Sequence, residues 1–218
     1  QMIKIGVPAG IQSATFSISN VLIQSTINSF GSIAMAGSTA GGNIEGFVWT
    51  AMDAFTQSTL SFTGQNYGAK KFHRITKVVW YNLGLVTVVG LVLGIGAYLV
   101  GPWVLQVYSS DPEVIAYGLE RMLLVCTPYA LCGVMNVLVG AMRGLGSSLT
   151  PMVVSIFGVC VLRVVWIYTV FPLDPSFAML FLSYPVTWAV TAAIEVVCFF
   201  VIRKKAIARA GGMAVDAD

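Results

Sequence analysis

The segment NIEGFVWTAMDAF, residues 43–55, carries two carboxylates, Glu45 and Asp53, in an otherwise apolar stretch. Arg121, Arg163 and Glu195 lie in similar surroundings. A charge at the centre of a bilayer costs at least about 2.5–3.5 kcal/mol on insertion scales, so it requires a partner or a water-filled cavity. Carboxylates placed this way can take up a proton or bind an inorganic cation. Arginines placed this way can neutralise them. The chemistry in view is ion binding rather than bond breaking. His73, the single histidine, sits in the basic run KKFHRITK, so a Ser–His dyad or a His-based metal site has little support. Gly144-Leu145-Gly146-Ser147-Ser148 lacks the GK[ST] of a phosphate-binding loop. No enzyme activity, no cofactor and no metal is expected, beyond a Na⁺ at Glu45 or Asp53.

These residues must be positioned by membrane-spanning helices. The 218 residues are 57% hydrophobic and 10% charged, against about 25% charged in a soluble domain. Six apolar segments stand out, at about 5–30, 43–65, 78–100, 113–141, 151–171 and 177–202. Each has the roughly 20 residues that a helix needs to cross the hydrocarbon core. Strands of that length are excluded, because lipid cannot satisfy an open backbone. The expected fold is an all-α, six-helix transmembrane bundle over residues 1–205, with a cytoplasmic tail at 206–218. Gly41-Gly42-Asn43 reads as the break between the first two spans. Ser110-Asp111-Pro112-Glu113 resembles a capping box with Ser110 as N-cap. Pro151 reads as a first helical residue, and Pro128 and Pro185 as kinks.

Ten of the twelve Lys and Arg residues fall on one side of such a bundle. They are Lys4, the group Lys70, Lys71, Arg74 and Lys77, then Arg143, and Arg203, Lys204, Lys205 and Arg209. The opposite loops, 31–42, 101–112 and 172–176, have none. The positive-inside rule then places both termini in the cytoplasm of a multi-pass plasma- or inner-membrane protein. The basic run reads as a loop facing anionic headgroups, not as a nucleic-acid site. Cys126, Cys132, Cys160 and Cys198 lack CxxC spacing and read as buried thiols.

Polar residues inside the spans form stripes. Ser13, Ser17, Asn20, Gln24 and Asn28 share one helical face, and so do Gly46, Thr50, Asp53, Gln57, Ser61 and Gly64. Asn20, Gln24, Asn28 and Gln57 are the candidates for lining a polar cavity; interhelical hydrogen bonding is the plainer alternative. Asp53 and Arg163 each lie about 18 Å from the cytoplasmic end at 1.5 Å per residue, so they are expected to pair. The pair is either a structural bridge or one whose partner is exchanged during transport. Glu45 has no basic residue at its depth other than Arg121 and reads as under-paired. Glu195 reads as reaching the cytoplasmic interface.

Several motifs resemble the multidrug and toxic compound extrusion (MATE) family, in the C-terminal half of its members. They are IGVPAG at 5–10, NIEGF at 43–47, GQNYGAKK at 64–71, MRGLGSSLTPM at 142–152 and LRVVWI at 162–167. The resemblance implies one six-helix lobe of a two-lobe transporter. Its partners are the N-terminal lobe, a small-molecule substrate and membrane lipid. Its activity is export of drugs or other organic compounds in exchange for Na⁺ or H⁺. The cation site of one sodium-coupled branch does not carry over, because Phe16 or Ser17 and Cys132 stand where that branch has carboxylates. Glu45 and Asp53 remain the coupling candidates, with Arg163 as charge partner. The alternatives are a flippase for a lipid-linked precursor on a related fold and a non-transporting scaffold subunit.

Overall fold

In the computed structural model, which describes residues 2–209, the chain runs through six helical passages, and no strand occurs among those residues. Helix α1 is Met2–Asn28, α2 is Ser32–Gly68 and α3 is Phe72–Gln106. The fourth passage is α4, Pro112–Val125, followed by α5, Tyr129–Gly144. The fifth joins α6, Leu149–Ser155, a π-turn, Ile156–Val161, and α7, Leu162–Thr169. The sixth is α8, Phe177–Arg209. By length and apolarity, α3, the fifth passage and α8 can each cross a membrane, and so can α4 with α5 if taken as one span bent by 47°. Residues 206–209 continue α8. The rest of the expected tail, 210–218, lies outside the described residues.

Three sequence expectations are corrected. First, Gly41-Gly42-Asn43 is not a break. It lies inside α2, and the chain turns at residues 29–31, where Gly31 takes φ 93°. The glycines serve close packing instead. A Cβ on Gly37 would collide with the Val114 carbonyl and lie 2.8 Å from Tyr117 Cβ, and one on Gly41 would lie 3.1 Å from the Gly118 carbonyl. Small residues four apart let two helix backbones approach, which is how helices associate where lipid removes the hydrophobic drive. Second, Asp111 rather than Ser110 caps α4: its Oδ1 accepts the Glu113 N–H at 2.9 Å, with Pro112 at the first helical position. An aspartate directly before that proline is the better-placed acceptor for the orphan N–H groups. Third, α6 begins at Leu149, so Pro151 is its third residue. Proline is tolerated there because the first four N–H groups have no intrahelical acceptor.

Pro128 immediately precedes α5 at the 47° bend. Pro185 does not interrupt α8. Around it the Ser183 hydroxyl donates to the Leu180 carbonyl at 2.6 Å and the Thr187 hydroxyl to the Ser183 carbonyl at 2.7 Å, so side chains occupy carbonyls near the proline.

The GQNYGAKK and MRGLG motifs end α2 and α5 in the same manner. After α2, the Lys71 N–H donates to the Asn66 carbonyl at 2.9 Å and the Lys70 N–H to Tyr67 at 3.1 Å. After α5, the Ser147 N–H donates to Met142 at 3.0 Å and the Gly146 N–H to Arg143 at 2.9 Å. Both are Schellman caps, which place one residue in the left-handed region. Gly146 fills that position at φ 81°, whereas Lys70 occupies it at φ 59°. An L-residue there costs about 1–2 kcal/mol relative to its ordinary conformations. Lys70→Gly is therefore expected to stabilise the protein by about 1 kcal/mol, read as a higher unfolding midpoint in detergent. A lowered midpoint would contradict the cap geometry.

Candidate functional site

A cavity of about 710 Å³ opens between α1 and α2 and is backed by α4, α5, α7 and α8. Glu45, Asp53, Arg121, Arg143 and Arg163 all border it. Asn20 and Gln24 of α1 and Gln57 of α2 are on its lining. Asn28 is not on the lining; it lies a turn further along α1 and its Oδ1 accepts from Gln24 Nε2 at 3.2 Å.

Glu45 is not under-paired. Its Oε2 lies 2.7 Å from Arg121 Nη2, and both side chains are 15% exposed. Arg121 Nη1 also donates to the Ser38 carbonyl at 3.0 Å and to its Oγ at 2.8 Å. Tyr129 donates to Glu45 Oε1 at 3.4 Å. The glycine seam makes this pair possible. A Cβ on Gly42 would sit 3.0 Å from Arg121 Nη2, so the guanidinium lies flat against bare backbone.

The expected Asp53–Arg163 pair does not form: among the described residues Arg121–Glu45 is the one ion pair. A rise of 1.5 Å per residue holds only if the fifth passage is α-helix throughout. The π-turn Ile156–Val161 precedes Arg163 and changes its register, and with it the face on which Arg163 emerges. Arg163 is 2% exposed. It lies 3.9 Å from the Tyr184 ring centroid, and its Nη1 donates to Asn20 Oδ1 at 3.5 Å. A guanidinium over an aromatic face is held by cation–π attraction in place of a carboxylate. Asp53, half-buried, keeps only a long contact of 3.5 Å from Gln57 Nε2. It is the cavity carboxylate with no basic partner among the described residues.

Two features were not anticipated. Arg143 was counted as a loop charge, yet it borders the cavity and donates to Gln12 Oε1 at 2.7 Å. On α8, Phe177, Phe181, Tyr184 and Trp188 form an aromatic ladder with ring centroids 4.8, 5.7 and 5.7 Å apart in sequence. Arg121 lies 5.1 Å from the Phe181 ring and Arg163 rests on the next ring, Tyr184. The spacing 177, 181, 184, 188 is a helical face visible in the sequence.

Residues 8–169 match the MatE family model. The chain belongs to the MatE family. Its MatE relatives include the probable multidrug resistance protein YoeA of Bacillus subtilis, 26% identical over 72% of this chain and 34% of that protein. Another is the probable multidrug resistance protein NorM of Aromatoleum aromaticum, 29% identical over 69% of this chain and 33% of that protein. The fold matches the Vibrio cholerae MATE transporter VcmN in its bent form, with TM-score 0.85 at 18% identity, over 94% of this chain and 47% of that one. It also matches the MATE transporter ClbM in complex with Rb⁺, with TM-score 0.82 at 17% identity, over 92% and 48%. The chain thus spans about a third of the length of these curated relatives and just under half of the solved MatE structures. It is a multi-pass membrane protein of the MatE fold.

Removing one partner of a buried pair leaves an uncompensated charge. Glu45→Gln alone is expected to destabilise this lobe by about 2 kcal/mol, below the usual range for a fully buried pair because both groups keep some exposure. Glu45→Gln combined with Arg121→Met is expected to cost less than the sum of the two single changes. A double-mutant cycle of unfolding midpoints reads the coupling, and strict additivity would rule the pair out as a stabilising contact.

Proposed function

We propose that this chain is the C-terminal lobe of a cation-coupled antiporter that exports organic compounds in exchange for Na⁺ or H⁺. A second six-helix lobe would close the cavity from the α1 and α2 side. The observation that carries this reading is a carboxylate without a basic partner, Asp53, on the same cavity wall as exposed polar and aromatic side chains such as Gln24 and Trp49. A cation arriving at Asp53 would supply the charge that the fold leaves unmatched. Glu45 would take part only if Arg121 releases it, so a cation there competes with an existing guanidinium. Substrate would lie between the lobes against the polar stripe of α1. The basic 70–77 segment and the end of α8 would face the cytoplasm of a plasma or inner membrane.

A second reading, a flippase for an anionic lipid-linked precursor, gains one observation: Arg143 joins Arg121 and Arg163 on the cavity wall. A precursor-binding assay on the full-length protein separates it from drug export.

In the full-length transporter, Asp53→Asn is expected to abolish Na⁺- or pH-driven efflux at unchanged expression, and Glu45→Gln to abolish it per molecule of folded protein, since loss of the Arg121 pair also lowers stability. If both variants keep normal ion dependence, the coupling residues have been misassigned. Single cysteines placed within 70–77 and after Arg203 are expected to react with an impermeant thiol reagent only in inverted vesicles. Reaction at either place in intact cells would reverse the proposed orientation.

A further inference from the structure

Glu195 does not reach an interface. It is 0% exposed, on the face of α8 that packs against the fifth passage. Its Oε1 accepts a hydrogen bond from the Ser155 hydroxyl at 3.0 Å, and its Oε2 has no partner. It does not border the cavity, and it makes no ion pair among the described residues.

Its surroundings are built from hydroxyls that have no capacity to neutralise it. Ser183, Thr187, Thr191 and Glu195 recur every four residues along one buried strip of α8. The three hydroxyls donate to α8 carbonyls: Ser183 to Leu180 at 2.6 Å, Thr187 to Ser183 at 2.7 Å and Thr191 to Thr187 at 2.7 Å. Opposite the strip, Ser155 ends α6 and the π-turn starts at the next residue, Ile156. A Cβ on Gly158 of that turn would collide with the Thr191 hydroxyl, so the turn and α8 are in tight register. Single π-turns within α-helices are frequent at functional sites.

The charged and titratable groups around this strip are few. On α5, the groups within electrostatic reach of Glu195 are Arg143 and Cys132. From α6 the facing polar group is Ser155. The π-turn contributes Cys160, whose own charged neighbour is Arg163. On α8 itself, Cys198 and Arg203 follow toward the C-terminus. None of these forms an ion pair with Glu195 among the described residues.

A carboxylate buried in this way, with one oxygen orphaned and no ion pair among the described residues, carries a large penalty unless a cation joins it directly. A hard metal ion collects several oxygen ligands, more than the two carboxylate oxygens and the Ser155 hydroxyl found here, whereas a proton needs only the orphan Oε2. A proton fits.

We propose that Glu195 is a proton site of the lobe, separate from the cavity, which binds and releases one proton during the transport cycle and is read out through Ser155 and the π-turn. The step is a plain equilibrium: carboxylate plus a proton from water gives the carboxylic acid, with no redox change. The proposal rests on the antiport reading and adds to it a residue that the cavity does not contain.

The test uses the full-length transporter in proteoliposomes, with Glu195→Gln as the variant, since the amide keeps the shape and cannot titrate. Substrate exchange down its own gradient is expected within about twofold of the parent, while accumulation driven by an imposed pH gradient falls at least tenfold. In infrared difference spectra between low and high pH, a protonated-carboxyl band of the parent is expected to vanish in the variant. Ser155→Ala removes the hydrogen-bond donor while keeping the carboxyl, and serves if Glu195→Gln does not fold; it is expected to shift the pH midpoint of uphill transport upward, because the charged form has lost a donor. The assignment is overturned by unaltered pH-driven accumulation in Glu195→Gln, by an unchanged infrared band, by an unmoved midpoint in Ser155→Ala, or by loss of Na⁺-driven transport alone. A parent that accumulates substrate under neither gradient overturns the antiport reading and this inference with it.

Discussion

The interior of this lobe must hold guanidiniums and carboxylates where lipid and apolar side chains give them nothing. That constraint orders most of what the structure does. The Arg121–Glu45 pair is its clearest expression, because forming it required the backbones of α2 and α4 to come unusually close. Gly37, Gly41 and Gly42 on one helix and Gly118 on the other remove the side chains that would keep them apart. Glycine in a helix interior costs about 0.5–1 kcal/mol each relative to alanine. The return is a guanidinium that lies on bare backbone and spends its donors on Glu45 and Ser38. Packing and electrostatics are one device here.

Arg163 meets the same constraint differently. Without a carboxylate in reach, it uses the aromatic face of Tyr184 and the amide of Asn20. Aromatic rings are a weaker partner than an opposite charge, and they do not fix the guanidinium in one bidentate geometry. Of the two guanidiniums that rest on neighbouring rings of α8, Arg121 is tightly specified and Arg163 loosely.

The sequence made the helical class legible, since it follows from long apolar runs and from the cost of an open backbone in lipid. Gln24 and Gln57 line the cavity because a helix has one polar face only if something polar lies opposite. The failures have physical causes. Gly41-Gly42 reads as a turn in the sequence because glycine permits turns and close helix crossings alike. The Asp53–Arg163 pairing rested on a uniform rise of 1.5 Å per residue, which a π-turn breaks without any marker in composition. Arg143 was assigned to a loop by its place after an apolar run, but the MRGLG cap holds it at the end of α5, where its side chain turns back into the cavity. Glu195 was assigned to the interface by its distance from the chain end. The Ser183, Thr187, Thr191 series, four residues apart, already marked its face as buried and polar.

The packing of the passages gives these positions a common logic. Helix α1 leans chiefly on the fifth passage, α2 packs on α3, α4 and α5, and α8 touches both sets. The cavity is the gap between the sets. Arg163 and Asn20 belong to the first set, and Arg121 and Glu45 belong to the second. Phe181 and Tyr184 of α8 lie under one guanidinium from each. A ring face tolerates sliding of a guanidinium across it far better than a two-pronged ion pair does, because its attraction depends on proximity to the face and not on the alignment of two hydrogen bonds. An aromatic ladder at the junction of the two sets thus holds a guanidinium from each side of the cavity on neighbouring rings.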